Sequence, residues 1–336
     1  RAAAKFGLGF GPDPASADRA TMGGVLGNNA TGAHSIRYGM AVDHFLAADA
    51  LLADGSQVNF GAVSFERAQE LAKDVQGTPA FSLNAPPSAN LEATIYSAAL
   101  HIRAQYADTI REKWTKVWRN TSGYRVNYLL PWSPSRPPQW EGERYPNLQP
   151  ETLNLATLLA GSEGTLAVMQ RMTLNLVPLE REKVLVVLSF KSIPEAMDAV
   201  PAILDSQPSA VELLPRQLID LAREVPAYAP MIDFVDDDVS EILVVEYAGD
   251  DQALVRKQAQ TCAELCRSMG RNGRVITNKV QQANIWKVRK VGLGILSTST
   301  SATRGVTFIE DCAVPVEHLG AYVRGMQKIF AHFKTE

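Results

Sequence analysis

The spacing of hydrophobic and polar residues changes several times along this chain of 336 residues. In AVDHFLAADALLADGSQVNF, apolar and small residues flank Asp54 and Gly55, a pattern that predicts a β-hairpin. FERAQELAK and LEATIYSAALHIRAQYADTIREKW carry apolar residues at helical spacing, which predicts two helices. NLATLLAGSEGTLAVMQRMTLNLVP predicts a short helix, a glycine turn and a buried strand.

Beyond Glu180, the pattern predicts strands that alternate with helices. The predicted strands are KVLVVLSF, PSAVELLP, EILVVEYAG, RVITNK and TFIEDCAVP, and the predicted helices are IPEAMDAVPAILDS, RQLIDLAREV, DDQALVRKQAQTCAELCRSMG, QQANIWKVRKVGLGILS and VEHLGAYVRGMQKIFAHF. This alternation predicts an α/β layer with helices on one face of a sheet. The chain therefore divides into an α+β domain over residues 1–179 and a second domain over 180–336, and the proline-rich stretch 131–150 is expected to be a surface insertion.

Composition excludes several classes of protein. With 46% hydrophobic and 21% charged residues, the chain has the composition of a globular protein. A net charge of −3 without a basic stripe argues against a nucleic-acid partner. Three cysteines fit a reducing cytoplasm, and we expect no transmembrane segment, because no apolar run is long enough to span a bilayer. Peripheral association with the inner face of a membrane stays open.

A loop rich in glycine and asparagine, residues 21–32, carries the candidate chemistry. Its glycines, which include Gly23, Gly24 and Gly32, let the backbone approach a bulky ligand, and Thr21, Asn28 and Asn29 add neutral hydrogen-bonding groups. Successive backbone amides form a concavity that suits a pyrophosphate, so the loop predicts a nucleotide cofactor. The alternative is a turn-rich surface loop. GSEGT, residues 161–165, forms a second glycine turn, whose alternative is a helix C-cap.

The remaining motifs give weaker evidence of function. KFGLGFGP resembles a dinucleotide fingerprint, but Pro12 and Pro14 prevent the helix that the fingerprint requires, so we reject an NAD site. Cys262 and Cys266 are expected in the core, and Cys312 is expected to be buried in a strand. The five histidines show no metal-ligand spacing, so no metal site is predicted. His34 is interpreted as a surface loop residue, with a position near the cofactor as the alternative.

Arg289 lies on a predicted helix with Lys287 and Lys290 beside it. A solvated cationic face is one interpretation. A clamp for a carboxylate is the other, because a guanidinium matches a carboxylate with two hydrogen bonds. The residues alone leave both open.

Three segments then resemble a known family. ATMGGVLGNNATGAHSIRYG, NTSGYRVNYL and LLAGSEGTLAVMQRMTLNLVP occur in the order typical of FAD-linked oxidases of the vanillyl-alcohol-oxidase type. PSAVELLP and IWKVRKVGLG resemble the substrate domain of D-2-hydroxyacid dehydrogenases, a group that includes glycolate oxidase flavoprotein subunits and D-lactate and D-2-hydroxyglutarate dehydrogenases. The chain is most similar to large bacterial flavoproteins with a fused iron–sulfur region.

The resemblance implies an α+β fold: the C-terminal half of a PCMH-type FAD-binding domain, followed by a ferredoxin-like substrate domain. It implies that the two glycine turns form one wall along FAD, and that Arg289 binds the substrate carboxylate. The implied cofactor-binding residues are Thr21, Gly23, Gly24, Asn28, Asn29, Gly32, Gly161, Ser162, Glu163, Gly164 and Thr165. The implied flavin-proximal residues are Asn120, Thr121, Gly123 and Tyr124.

Departures from the family pattern limit these implications. The phosphate loop of the first FAD subdomain belongs before Arg1, and the histidine-rich motif that supplies metal ligands and the proton acceptor belongs after Glu336. Ile309 stands where some D-2-hydroxyglutarate dehydrogenases carry a lysine, which weakens the assignment of that substrate. We therefore expect the segment alone to bind FAD weakly or not at all.

The expected activity of the parent protein is oxidation of a D-2-hydroxy acid (lactate, glycolate or 2-hydroxyglutarate type) to the 2-oxo acid. A hydride would pass to FAD N5 and the electrons to an iron–sulfur module or quinone. Two alternatives are a flavin oxidase that uses oxygen, and a non-catalytic fragment that packs against other modules.

Overall fold

The computed structural model describes residues 2–74, 90–130, 132–133, 151–235, 241–297 and 312–334, with the side chains of 291–297 excluded. Most of the proline-rich stretch 131–150, and Ile309, lie outside the described residues. The chain forms two compact units, Arg1–Leu179 (unit 1) and Glu180–Glu336 (unit 2).

Unit 1 contains a four-stranded antiparallel sheet in the order β4-β3-β2-β5. The predicted hairpin is confirmed, because β2 pairs with β3 around a turn at Asp54 and Gly55. The strands β1 and β6 form a separate two-stranded antiparallel sheet. The strands of unit 1 are β1 (Leu8–Gly9), β2 (Phe45–Leu51), β3 (Gln57–Ser64), β4 (Thr152–Asn154), β5 (Val168–Leu174) and β6 (Val177–Pro178).

The helices of unit 1 are α1 (Met22–Gly27), α2 (Ser35–Tyr38), α3 (Phe65–Leu71), α4 (Leu91–Lys113) and α5 (Ala156–Leu159). Asn90 caps α4 by accepting a hydrogen bond from the Ala93 amide. Tyr96 and Ala99 of α4 are buried in one core cluster with Phe60 of β3. The two helices predicted from FERAQELAK and LEATIYSAALHIRAQYADTIREKW are therefore confirmed as α3 and α4, and both pack into the core cluster of this sheet.

The prediction that LAVMQRMTLN forms a buried strand was wrong. β5 is an edge strand, paired only with β2 in the described sheet, and its residues alternate between exposed and half-buried. Val168 is exposed although it is apolar. An apolar run indicates a strand, but the position of that strand in the sheet decides its burial.

Unit 2 contains a four-stranded antiparallel sheet in the order β10-β7-β9-β8. In chain order this is 4-1-3-2, the ferredoxin-like arrangement that the resemblance implied. Its strands are β7 (Glu182–Phe190), β8 (Ala210–Pro215), β9 (Glu241–Gly249) and β10 (Gly273–Ile276). Its helices are α6 (Ile193–Leu204), α7 (Arg216–Glu224), α8 (Gln252–Ser268), α9 (Lys279–Ser297) and α10 (Leu319–Phe333).

Helices cover both faces of this sheet, so the prediction of one covered face was wrong. Val186 and Leu188 of β7 pack against α6 and α8, whereas Leu185 and Val187 pack against α7 and α9. Neighbouring residues of a strand point to opposite faces, and β7 is apolar at both sets of positions. The unbroken apolar run of β7 and β9 is the sequence signal of a sheet that is buried on both sides.

The predictions for the three cysteines had different outcomes. Cys262 and Cys266 of α8 are fully buried, as predicted, and burial raises the pKa of the Cys266 thiol to about 12. Cys312 is exposed and belongs to no strand, so its predicted burial was wrong. The apolar residues that follow Cys312 lead into a 3-10 turn, Val316–His318, and form no strand pairing.

Candidate functional site

Three distant segments of unit 1 meet at one place, which we call the glycine junction: residues 21–32, 120–124 and 161–165. The backbone amide of Gly161 donates to the carbonyl of Leu26 at 3.0 Å. The amide of Glu163 donates to the carbonyl of Gly27, also at 3.0 Å. The prediction that the two glycine turns lie together is therefore confirmed, and backbone hydrogen bonds hold them.

Gly161 lies at the centre of the junction. Its φ of +78° is unfavourable for a residue with a Cβ. An added Cβ would lie 3.3 Å from the carbonyl oxygen of Gly123 and 3.4 Å from the Cβ of Asn29. Gly161 is thus required by the packing of all three segments, whatever else the junction does.

A hydroxyl relay joins the second and third segments. The Thr165 hydroxyl donates to the carbonyl of Ser162 at 2.5 Å. Because that proton is used, the Tyr124 hydroxyl donates to Thr165 Oγ1, at 2.9 Å. The Tyr124 ring is about half-exposed, so the relay fixes one end of an aromatic ring that faces solvent.

The two asparagines of the loop have different surroundings. Asn28 is exposed at the end of α1. Asn29 is 0% exposed with φ +47°, and its Oδ1 accepts a hydrogen bond from the Val42 amide at 2.9 Å. The Asn29 side chain therefore anchors the loop to the backbone of Val42. Its cofactor-binding role stays a prediction, restricted to its backbone.

The glycines of the loop also differ in what surrounds them. A Cβ on Gly32 would lie 2.1 Å from the carbonyl oxygen of Asp13, so the protein itself requires glycine there. A Cβ on Gly23 would meet nothing within 4 Å, and one on Gly24 only the Thr21 hydroxyl at 3.5 Å. Neither residue has a positive φ. In the part of the chain that the structure describes, nothing explains why Gly23 and Gly24 lack a side chain.

Polar groups around Asn120 shape the loop 120–124. Its side-chain amide donates to Thr115 Oγ1 at 2.8 Å, and its Oδ1 accepts from the Ser122 amide at 3.1 Å. The guanidinium of Arg125 donates to its carbonyl oxygen. Gly123 provides the turn, with φ +73° and no neighbour within 4 Å of an added Cβ. The side-chain amide of Asn120 therefore stabilises the conformation of this loop.

A buried polar network lies behind this loop, and the sequence interpretation missed it. Arg125, Tyr128 and Asp43 are all buried, and the Tyr128 hydroxyl donates to an Asp43 oxygen. The Met40 amide donates to the other oxygen at 2.7 Å. Burial raises the Asp43 pKa to about 6, although these hydrogen bonds and the charge of Arg125 oppose the rise. The sequence signal that could have indicated this network was a single Asp in the apolar run MAVDHFLA.

His34 follows the first segment in a turn, which agrees with its interpretation as a loop residue, but it is only partly exposed. Its side chain is 14% exposed, and Nδ1 lies 3.2 Å from an Asp13 oxygen. Asp13 lies close to His34 because the backbone around Asp13 packs against Gly32, two residues before His34. A position of His34 near the cofactor stays a prediction.

The candidate residue of unit 2, Arg289, already holds a carboxylate. Its Nε and Nη2 both donate to Oε2 of Glu212, at 3.0 and 2.8 Å. The two side chains are 25% and 17% exposed. The interpretation as a solvated cationic face was therefore wrong for Arg289, and its role toward a substrate stays a prediction.

Among the described residues, no group of three or more His, Cys, Asp or Glu side chains is placed to hold a metal ion. No helix in the described ranges is long and apolar enough to cross a membrane.

Comparison with known families gives two matches. The family described as FAD binding domain matches residues 1–61, and the family described as FAD linked oxidases, C-terminal domain, matches residues 179–336. Together they cover the first glycine segment and all of unit 2.

Curated relatives include D-2-hydroxyglutarate and D-lactate dehydrogenases. The chain is 28% identical to a D-2-hydroxyglutarate dehydrogenase of Pantoea ananatis over 329 residues, 95% of this chain but 29% of that protein. It is 22% identical to a D-lactate dehydrogenase of Archaeoglobus fulgidus over 337 residues, 100% of this chain and 54% of that protein. The chain thus spans less than a third of the D-2-hydroxyglutarate dehydrogenase.

A solved alkyldihydroxyacetonephosphate synthase has a TM-score of 0.49 at 13% identity, covering 88% of this chain and 39% of that one. This likeness is too weak to support a conclusion. The two family matches do support one: the chain carries part of an FAD binding domain and the C-terminal domain of FAD-linked oxidases, so its cofactor is FAD.

Proposed function

We propose that the full-length protein oxidises a D-2-hydroxy acid to its 2-oxo acid. Unit 1 contributes part of the FAD-binding domain and unit 2 the substrate domain. FAD, when bound, supplies the acceptor for a hydride from C2 of the substrate. The residues of this chain bind and orient the reactants. The electrons then pass to an iron–sulfur module or a quinone, in the cytoplasm or at the inner face of a membrane.

The cofactor part of the proposal is supported by the unexplained glycines. Gly inside a helix costs about 1 kcal/mol relative to Ala, yet Gly23 and Gly24 follow one another in α1 without a steric or backbone reason among the described residues. Close approach of a ligand to the backbone accounts for both. The exposed Thr21 and Asn28 then lie at the ends of the same short helix as neutral hydrogen-bonding groups.

The other two segments of the glycine junction extend this surface. Glu163, Gly164 and Thr165 are exposed, whereas Gly161 and Ser162 are buried beneath them. We therefore assign ligand contact to the exposed residues and structural support to the buried pair. Tyr124, held by Thr165, is our choice for the residue beside the flavin ring.

The substrate part of the proposal is supported by Arg289. A guanidinium is the side chain best matched to a carboxylate, and every 2-hydroxy acid carries one. Arg289 already binds a carboxylate of its own unit, so its orientation suits that chemistry. The relatives named as dehydrogenases of D-2-hydroxyglutarate and D-lactate point to the same substrate class.

The test uses the full-length gene product, including any sequence that flanks these 336 residues. We expect a flavin absorbance spectrum, and reduction of an artificial dye with D- but not L-2-hydroxy acids. Arg289→Ala should raise KM for these acids, because the carboxylate loses its clamp. Arg324→Ala, which removes a half-exposed partner of Asp198, is the matched control and should leave KM unchanged.

Two results would decide between the alternatives, and a third measurement tests the isolated segment. A flavin-free product that reduces no dye would favour the non-catalytic fragment. Turnover that requires oxygen and ignores the dye would favour a flavin oxidase. Comparison with the isolated 336-residue chain tests our expectation that this segment alone binds FAD weakly or not at all.

A further inference from the structure

Glu212 and Glu246 lie on the same face of the unit 2 sheet, below α9. Glu212 of β8 pairs with Val244 of β9, whose side chain belongs to the core cluster formed with α7 and α9. Glu246 pairs with Ala210 two positions further along β8. Paired residues and second neighbours along a strand share a face, so both carboxylates point toward α9.

The two glutamates are bound differently. Glu246 is 1% exposed and accepts hydrogen bonds from side chains of Ser209, Trp286 and Lys183, at 2.9, 3.2 and 3.2 Å. These donors come from a loop, a helix and a strand, so Glu246 joins several elements. The Glu212 carboxylate, in the described ranges, has one side-chain partner, the guanidinium of Arg289.

The geometry of the Arg289 contact leaves part of the guanidinium for another partner. A guanidinium has five N–H donors in one plane, arranged along edges that each match a carboxylate. Glu212 Oε2 takes the edge formed by Nε and Nη2. The other edge, formed by Nη1 and the second hydrogen of Nη2, points away from Glu212, and Nη1 has no hydrogen-bond partner among the described residues.

We propose that Glu212 is a positioning residue: it fixes the plane of the Arg289 guanidinium so that the Nη1/Nη2 edge receives the substrate carboxylate. This inference rests on the proposed function. Arginine carries long, flexible side-chain torsions, and holding it in one orientation before the substrate arrives removes an entropic cost from binding. Glu212 also neutralises the charge of Arg289 in the free protein, so a half-buried cation is not left unpaired.

The proposal predicts different effects for two substitutions of Glu212. Glu212→Ala removes the acceptor, so Arg289 loses its orientation and KM for the D-2-hydroxy acid rises by about tenfold, while kcat stays within about twofold. Glu212→Gln keeps an oxygen that accepts both N–H groups, so KM stays within about threefold of the parent value. The inhibition constant of the 2-oxo acid product should follow KM in both variants.

The experiment measures KM and kcat of the full-length flavoprotein with Glu212→Ala, Glu212→Gln, Arg289→Ala and the double variant. In the Arg289→Ala background, Glu212→Ala should have no further effect on KM, because the residue acts through Arg289. Asp198→Ala, which breaks an exposed arginine–carboxylate pair of the same unit, is the matched control. Flavin content and Tm report whether each variant is folded.

The outcomes separate the two ideas. If Arg289→Ala raises KM and Glu212→Ala does not, the inference fails and the proposed function stands. A Glu212→Gln variant that is folded but has KM raised as far as Glu212→Ala also overturns it. So does a further rise of KM in the double variant. If Arg289→Ala leaves KM unchanged, the substrate role of Arg289 fails, and the role of Glu212 fails with it.

Discussion

The candidate sites of the two units are built from different parts of the chain. In unit 1, the glycine junction is made of backbone: amides of residues 161 and 163 bind carbonyls of residues 26 and 27. In unit 2, Arg289 and Glu212 meet through side chains on a regular helix and strand. Backbone groups suit the long, polar surface of a dinucleotide, whereas a guanidinium suits one small carboxylate. This difference fits the ligand that we propose for each unit.

The difference also decides where substitutions are tolerated. In unit 1 a single methyl group can collide with backbone, because segments touch where a glycine has no side chain. In unit 2 the contact is made by the far ends of side chains, which can rotate away. Substitutions at the packed glycines, Gly32 and Gly161, should therefore change stability, and those at the charged pair should change binding.

Gly32→Ala should have the largest effect and sharpens this contrast. The new Cβ would lie 2.1 Å from the Asp13 carbonyl oxygen and 2.3 Å from that of Pro12, so one segment of backbone must move. We expect a loss of at least about 3 kcal/mol in the free energy of unfolding, measured by urea titration. Gly23→Ala, in open space, is the control and should cause no loss. Equal stability of Gly32→Ala and the parent chain would contradict the packing argument.

The pH dependence of stability should show a smaller effect, from Asp43. Its pKa in the folded protein, about 6, lies above the usual value of 3.8. The folded state therefore holds a proton that the unfolded state has lost, so this contribution is present below pH 4 and is lost as the pH rises through 6. Between pH 4 and pH 6 the loss is about 2 kcal/mol.

Thermal unfolding at several pH values checks this expectation. The curve of Asp43→Asn should lack the decline between pH 4 and 6, because the group no longer titrates. Tyr128→Phe should move the decline to higher pH, since it removes a hydrogen bond that favours the carboxylate. A parent and Asp43→Asn with parallel curves would show that Asp43 does not carry the pH dependence.

Gly23→Ala and Gly24→Ala should have the smallest effect on stability, and in the opposite direction. Alanine favours the helix, so each variant should gain between about 0.5 and 1 kcal/mol without cofactor. In the full-length flavoprotein, the same variants should bind FAD more weakly, because the methyl group separates ligand and backbone. Unfolding of the FAD-free protein and equilibrium dialysis with FAD measure the two effects. Unchanged FAD affinity in both variants would break the link between these glycines and the cofactor.

Local patterns of the sequence determined most of the secondary structure. The hairpin at Asp54 and Gly55 and the strand–helix alternation of unit 2 were predicted because apolar periodicity reports which residues of an element face a core. The glycine and asparagine content of residues 21–32 also identified the loop as unusual. These signals lie within a few residues of one another, so no knowledge of the fold was needed.

Only the tertiary structure decided which role each residue of those motifs plays. Gly32 and Gly161 are required by packing, Gly23 and Gly24 are not, and Asn29 turns inward while Asn28 is exposed. Arg289 and Glu212 are 77 residues apart in sequence, and Asp43 and Tyr128 are 85 apart. The sequence by itself identified residues that carry candidate chemistry. Partners so distant are chosen by how strands and helices pack, and local spacing carries no record of that choice.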